Sequence, residues 1–454
     1  MTFYHVECQF FRFYFINFNY VKRICNPQTK PVNLSFIKNK MTQKNPKIHI
    51  IGAGISGLIA AQTLEKNGFS STILESTDSV GGRVKTDIVD GYQLDHGFQV
   101  LLTSYPAAKR FLDFKSLELQ EFLPGATIFN NGKAQTIGDP LRDLSLLFPT
   151  VFSSIISMMD KIKILKLNLI LKKKSLEDIF AEKEISTLDY LKNFGFSEQT
   201  ISQFFKPFFS GIFLETKLET SSRMFEFVYK MFGTGNAALP KAGIQAIPDQ
   251  LAGNLKSTKI LFSTKVSSVK DGEITLENGE ILESDFTIIA TDANLLIEDL
   301  NKKNIKWKSC FNLYFETEKR MIEKPIIGLL PKDNALTNNI FYNTSLETRK
   351  NAGKELLSVT VVDNQNFKGN ELAEKVKIEL NEYFNIDVLR LIKQYEIPKA
   401  LPDLKNIKYS LNPEETRYSS QIFLAGDTLL NGSLNAAMLS GESAAIALIQ
   451  VIKK

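Results

Sequence analysis

The stretch Lys47-Ile-His-Ile-Ile-Gly52-Ala-Gly54-Ile-Ser-Gly57-Leu-Ile-Ala-Ala61 constrains this chain more than any other. Ile48, Ile50 and Ile51 read as a buried parallel strand that runs directly into a G-x-G-x-x-G loop and a helix. Gly52 makes the tight turn, Gly54 lets backbone approach a ligand, and Gly57 lets the helix pack on the strand. Ile55 and Ser56 fall in the first helical turn, where free N–H groups and the helix dipole favour a phosphate. The pattern describes a pocket for a dinucleotide pyrophosphate.

The residues that follow make the motif specific. A second strand, Ser71-Thr72-Ile73-Leu74, ends in Glu75, 23 positions after Gly52. A carboxylate there accepts hydrogen bonds from a ribose diol and repels a 2′-phosphate, which disfavours NADP. Ser76 follows it, and Gly81-Gly82-Arg83 then brings backbone near a ligand again and adds a cation suited to phosphate. A second string, Gly233 to Ala238, fits G-x-G-x-x-A. It follows helix-like residues and precedes Leu239-Pro240, so it lacks both the strand and the helix a nucleotide site needs.

With 454 residues the chain needs more than one core. Its formal charge of +5 lies entirely in residues 1 to 40, where Arg12, Lys22, Arg23, Lys30, Lys38 and Lys40 face Glu7 alone. The remainder is neutral overall, which removes any global electrostatic case for a nucleic acid partner. The first segment also clusters aromatics such as Phe10, Phe11 and Phe13 and lacks the layout of a secretory signal. Met41 is the expected biological start, with residues 1–44 an extension outside the fold. Cys8, Cys25 and Cys310 form neither a disulfide framework nor a metal-binding spacing, so a cytoplasmic setting and no metal are expected. No window offers ~20 uninterrupted apolar residues, and no transmembrane helix is predicted.

Along the chain, Asp90 to Val100 reads as a turn and a strand, and Thr127 to Thr136 as a hairpin around Asn131-Gly132. From Leu141 to Phe232 the periodicity is helical. Strand patterns return at Lys259 to Phe262, Val266 to Val269, Phe286 to Thr291 and Gln421 to Ala425, and an alanine-rich helix closes the chain. The resulting expectation is an α/β fold. Residues 45–140, 240–300 and 400–454 form a Rossmann-like domain on a parallel sheet, 141–239 a helical insertion, and 301–399 an interleaved α+β substrate-binding domain.

The Gly52 loop, Glu75, Gly81-Gly82-Arg83 and the distant Ala425-Gly426-Asp427 together resemble the flavin-containing amine oxidoreductase superfamily of monoamine oxidases, protoporphyrinogen oxidase and plant-type phytoene desaturases. The resemblance covers nearly all of residues 45 to 453. Phe204 to Leu214, Thr220 to Arg223 and Ala238 to Pro248 look most like relatives of the carotenoid desaturases. The resemblance implies FAD as the cofactor. Glu75 would hold the adenosine ribose, Arg83 would lie beside the pyrophosphate and the Val266 backbone would meet the adenine. Gly426 and Asp427 would reach the ribityl chain or pyrophosphate, and Gly97, Phe98 and Gln99 would skirt the isoalloxazine. The helix start Leu434-Asn435-Ala436 would face the pyrimidine edge, where a helix N-terminus stabilises the negative charge of the reduced ring. Thr77 and Ser79 stand where many relatives carry arginines, and no cysteine lies near the C-terminal motif, so the implied FAD is non-covalent.

The implied chemistry is hydride removal from a hydrophobic small molecule in a dry pocket, with O₂ or a quinone as acceptor. Desaturation of an isoprenoid or carotenoid-like compound leads. Amine or protoporphyrinogen-type oxidation, a redox-neutral flavin isomerase and a non-catalytic binding factor are the alternatives. With three histidines in the chain, and His5 and His49 placed elsewhere, His96 is the histidine available for proton handling; a structural role is the competing reading. The phenylalanines from Phe194 to Phe232 either line an apolar tunnel or form ordinary core. Ser145 to Lys174, apolar with a Lys172-Lys173-Lys174 end, reads either as a peripheral membrane contact or as a plain helix pair.

Overall fold

The computed structural model describes residues 46–130, 133–300 and 305–454; the 1–44 extension, its Met41 and the Asn131-Gly132 turn lie outside the described residues. The β-branched runs of the sequence become a five-stranded parallel sheet ordered Lys259–Leu261, Thr72–Leu74, Ile48–Ile51, Phe286–Ile289 and Ile422–Leu424. Ile50, Ile73 and Ile288 are fully buried at its centre, as a parallel sheet covered on both faces requires. The helix of the glycine loop, Ile55–Lys66, and the last helix, Leu434–Ile452, pack on each other and on this sheet. The α/β class and the first-strand assignment hold.

The last helix is long and apolar enough to span a membrane, but packing accounts for its composition: Ala444, Ala445 and Leu448 are fully buried in the core shared with the sheet. Gly441 meets the first helix so closely that a Cβ built on it would lie 2.2 Å from the Ser56 carbonyl oxygen.

A second sheet of seven strands takes the order Val388–Pro402, Trp307–Thr317, Glu355–Val361, Thr337–Tyr342, Ile327–Leu329, Gly125–Asn130 and Lys133–Gly138. One face is apolar and lies under the helix Gly369–Phe384, with Leu313, Val359 and Ile340 meeting Val376, Leu380 and Phe384. The hairpin at 125–138 was expected with the Rossmann-like part and instead forms the far edge of this second sheet, its first strand parallel to Ile327–Leu329. Its turn chemistry specifies pairing within the hairpin but not which sheet it extends; Ala126, Ile128 and Ile137 decide that by burying against Ile155 and Ile156 of the helical region.

Residues 144–234 fold as a succession of separate helices. Ser157, Ser175, Ser186, Ser197 and Ser221 each accept a backbone N–H at a helix start, which breaks one long apolar stretch into separate turns. A π turn at Ile201–Phe205 precedes Pro207, whose missing N–H leaves the preceding turn one hydrogen bond short. Phe205, Phe209, Phe213 and Phe225 are buried with their rings packed on one another, and the buried Phe227 packs on Tyr105 and Phe180, so these rings are core and not a tunnel wall.

Replacing Gly441 by alanine forces the first and last helices apart. A loss of about 1–3 kcal/mol is expected, read as a lowered melting temperature with released flavin.

Candidate functional site

The loops leaving the carboxyl ends of the parallel strands carry Gly52, Glu75, Asp292 and Gly426-Asp427. In an open parallel sheet a ligand sits in that crevice, where connections leave the first strand to both sides. Gly52 adopts φ +100 against Ala290 and Thr291. Gly54 faces open space, since a Cβ there would meet nothing within 4 Å. As the cap of the first helix it offers no side chain, so the N–H groups of Ile55, Ser56 and Gly57 have no side-chain cap. Gly57 is the packing glycine, its virtual Cβ 2.0 Å from the Gly52 carbonyl oxygen.

Glu75 is buried and held from several sides. Its Oε2 accepts from the Ala53 N–H at 2.7 Å, and its Oε1 accepts from the Thr77 N–H and hydroxyl, both at 2.9 Å, and from the Ser76 hydroxyl at 3.3 Å. A carboxylate offers about four lone-pair sites, so Oε2 keeps capacity for one more donor, which a ribose hydroxyl would supply. Thr77, one of the departures from the arginine pattern, thus orients the carboxylate. The Thr264 N–H donates to the Glu75 carbonyl at 2.8 Å and brings the start of the Val266 strand alongside.

Gly81 ties back to the glycine loop through its N–H to the Ala53 carbonyl at 2.9 Å, with Gly82 and Arg83 following. The Arg83 guanidinium pairs with Asp427 at 2.5 Å and lies 5.2 Å from the centre of the Trp307 ring. Lys399 approaches the same ring and pairs with Asp292 at 3.3 Å. Around this cluster, Trp307 Nε1 and Asp292 Oδ1 are buried without a partner, as is Asn435 Nδ2 at the start of the last helix. Unpaired donors and an unpaired acceptor beside an arginine and a helix start suit a ligand rich in phosphate, hydroxyl and ring heteroatoms.

Some expected site residues use their side chains for packing. The Ser56 hydroxyl donates to the Ala437 carbonyl at 2.8 Å, and Asn435 Oδ1 accepts from the Ala107 N–H at 3.0 Å. Ser433 caps the last helix by accepting from the Ala436 N–H, with Leu434 beginning the helix. Gln99 braces its own loop, donating to the Arg83 and His96 carbonyls at 2.8 Å. His96 bonds Asp87 at 2.8 Å through Nε2, and the Tyr395 hydroxyl donates to the same oxygen at 2.9 Å, with the His96 and Tyr395 rings 4.5 Å apart. Burial alone would raise the Asp87 carboxyl, but the bonds from His96 and Tyr395 outweigh it and hold the group low. His96 therefore ties the hairpin 86–95 to the strand Val388–Pro402.

Gly97 sits against Ile397, and Phe98 packs with Phe341 at 5.4 Å and Phe122 at 6.0 Å. On the same sheet face as Phe341 runs a buried polar row that sequence reading missed: Asn312, Ser358, Thr360 and Asn339, linked by hydrogen bonds. The signal was present as period-two polar residues within otherwise apolar strands. The second G-x-G-x-x-A string ends a helix and enters the antiparallel strand Ala237–Pro240, which is no nucleotide turn.

Residues 55–449 match the family model for flavin containing amine oxidoreductases. The chain belongs to that family. The family is one of flavin-containing oxidoreductases, and the parallel sheet with its larger mixed partner is the fold of its solved members. It is 28% identical over 171 residues to protoporphyrinogen oxidase 2 of Arabidopsis thaliana, an alignment of 36% of this chain and 32% of that protein. The chain thus aligns with about a third of that relative's length. Cyclohexylamine oxidase of Brevibacterium oxydans has the same fold, with a TM-score of 0.66 at 15% identity over 90% of this chain and 100% of that one. An oxidoreductase of Methanosarcina mazei gives 0.66 at 18%, again over 90% and 100%.

Glu75→Ala removes the bond to Ala53 and the acceptor offered to a ribose. FAD affinity of the apoprotein should fall on the order of 10- to 100-fold, measured by flavin fluorescence titration. Asp95, just before the Gly97 loop, accepts from the Thr86 hydroxyl at 2.6 Å and the Ile244 N–H at 3.1 Å, and burial pushes its carboxyl up to about 6. The native state then holds a proton that the unfolded chain releases, so this stabilisation is complete below about pH 4 and lost as pH rises through 6. Asp95→Asn should remove a pH-dependent term on the order of 3 kcal/mol across that window, seen in urea melts at each pH.

Proposed function

We propose that this enzyme removes a hydride from a largely apolar small molecule, with desaturation of an isoprenoid-like chain as the leading reaction. The observation that carries this reading is the packing of the half-buried Phe98 on the core rings of Phe122 and Phe341, with ring centres 4.5 to 6.0 Å apart, which makes the ground beside the Gly97 loop apolar. FAD, when bound, supplies the hydride acceptor. The residues here exclude water, hold the substrate against the loop and keep the loop braced through Gln99 and His96. O₂ or a quinone then takes the electrons.

The flavin is non-covalent in this reading. Cys310, the cysteine within the described residues, lies buried in the strand Trp307–Thr317, and burial pushes its thiol up to about 12. A thiol held protonated is a poor nucleophile toward a ring. Acid precipitation should release yellow colour to the supernatant; colour held in the pellet would contradict this.

The buried row of Asn312, Ser358, Thr360 and Asn339 favours a second reading, in which the substrate carries hydrogen-bonding groups, as an amine or a tetrapyrrole does. Anaerobic bleaching of the flavin across polyenes, tetrapyrroles and amines separates the two. Bleaching by polyenes alone supports the first reading, and bleaching by amines or tetrapyrroles alone supports the second.

A further inference from the structure

From Leu141 to Leu169 the surface of the helical region stays apolar. Leu144 and Phe152 are each 79% exposed and Leu169 is 63% exposed. On the helix Met158–Lys173 the exposed side chains Met158, Ile162, Leu165 and Leu169 recur at positions i, i+4, i+7 and i+11, which is one continuous face. Leu167 and Leu171 point the other way and are buried. Exposed apolar patches of this extent mark binding surfaces.

Within residues 141–174 the exposed charged side chains are basic. Between residues 141 and 174 the acidic residues are Asp143 and Asp160. Asp143 is used at its own helix start, accepting from the Ser145 N–H at 2.8 Å. Asp160 is buried and accepts from Lys163 at 2.8 Å, Thr200 at 2.7 Å and Ser197. Burial would raise its carboxyl, but those three donors outweigh it and keep the group ionised and turned inward. Lys166, Lys172 and Lys173 are exposed on the same helix and have no carboxylate partner among the described residues. Lys174 is different, being paired with Glu182 and Glu226. A wide apolar face flanked by unpaired lysines, with no exposed carboxylate between residues 141 and 174, is complementary to a negatively charged lipid surface; the exposed Glu177 and Asp178 belong to the next helix, Leu176–Ala181.

We infer that the face formed by residues 141–152 and the helix Met158–Lys173 docks on anionic phospholipid bilayers. Phe148, Phe152, Met158, Ile162, Leu165 and Leu169 enter the interface, and Lys166, Lys172 and Lys173 meet the headgroups. The inference is independent of the substrate, because binding is read without turnover.

The test is flotation of the flavin-loaded full chain with vesicles of phosphatidylcholine alone or mixed in equal parts with phosphatidylglycerol. The wild type is expected to float with the mixed vesicles and to detach as salt is raised. Lys172→Gln with Lys173→Gln should weaken that binding roughly 5-fold per lysine, about 25-fold together. The variant Phe148→Ser, Phe152→Ser, Leu169→Ser should abolish flotation while its flavin spectrum and melting temperature stay those of the wild type. Three outcomes overturn the proposal: wild type that stays in the aqueous fraction with both vesicles, a serine variant that floats like wild type, or a wild-type dimer that the serine changes dissolve without any vesicle binding. Should the serine variant fail to fold, the lysine pair decides, and unchanged affinity for the mixed vesicles overturns the proposal.

Discussion

Everything at the flavin site depends on the close contact of two helices from opposite ends of the chain. Gly441 allows the last helix to rest on the Ser56 carbonyl, and Gly57 allows the first helix to rest on the turn at Gly52. The Ser56 hydroxyl donates to Ala437, and Ser440 of the last helix accepts from the Gly426 N–H at 2.9 Å. One contact therefore fixes the glycine turn and the Gly426-Asp427 corner with respect to each other. Arg83 closes the arrangement from a third segment by pairing with Asp427. A side chain at either glycine would separate groups that must meet the same ligand, a cost larger than the lost packing alone.

The hairpin 86–95 carries that order across to the second sheet. Tyr92 donates to Glu316 at 2.9 Å and Tyr314 donates to the Asp95 carbonyl at 2.8 Å. Arg390 joins Asp90 and Glu316, and Asp87 gathers His96 and Tyr395. These bonds leave the Gly97–Gln99 loop little freedom between the nucleotide crevice and the sheet face bearing Phe341 and Asn312. Such bracing suits a reaction in which few side chains act and positioning of a C–H bond is the protein's main task.

Much of this was legible in the residues because the signals are local. Isoleucine runs specified the buried strands, the spacing from Gly52 put a buried carboxylate, Glu75, at the end of the second strand, and Gly426-Asp427 follows the last strand of the sheet. The rest depended on long-range partners. The hairpin 125–138 announced its turn but not its sheet, since that choice rests on Ile155 and Ile156. Ser56 and Asn435 sit at motif positions, yet their side chains found Ala437 and Ala107. Trp307 gave no motif at all, and its place over Arg83 arises from strand register with Pro402. The phenylalanine-rich helices had two readings in sequence, and packing decided for core at Phe205, Phe209, Phe213 and Phe225.

The central claim is that FAD lies across the carboxyl ends of the parallel strands, held between both ends of the chain. A crystal structure of the flavin-loaded protein tests this directly. The account predicts the ribose hydroxyls within hydrogen-bond distance of Glu75, the pyrophosphate against the Gly52–Gly57 turn, and the ring beside Gly97. A flavin bound away from Glu75, or a ring lying outside the space between the Gly97 loop and the last helix, would contradict it.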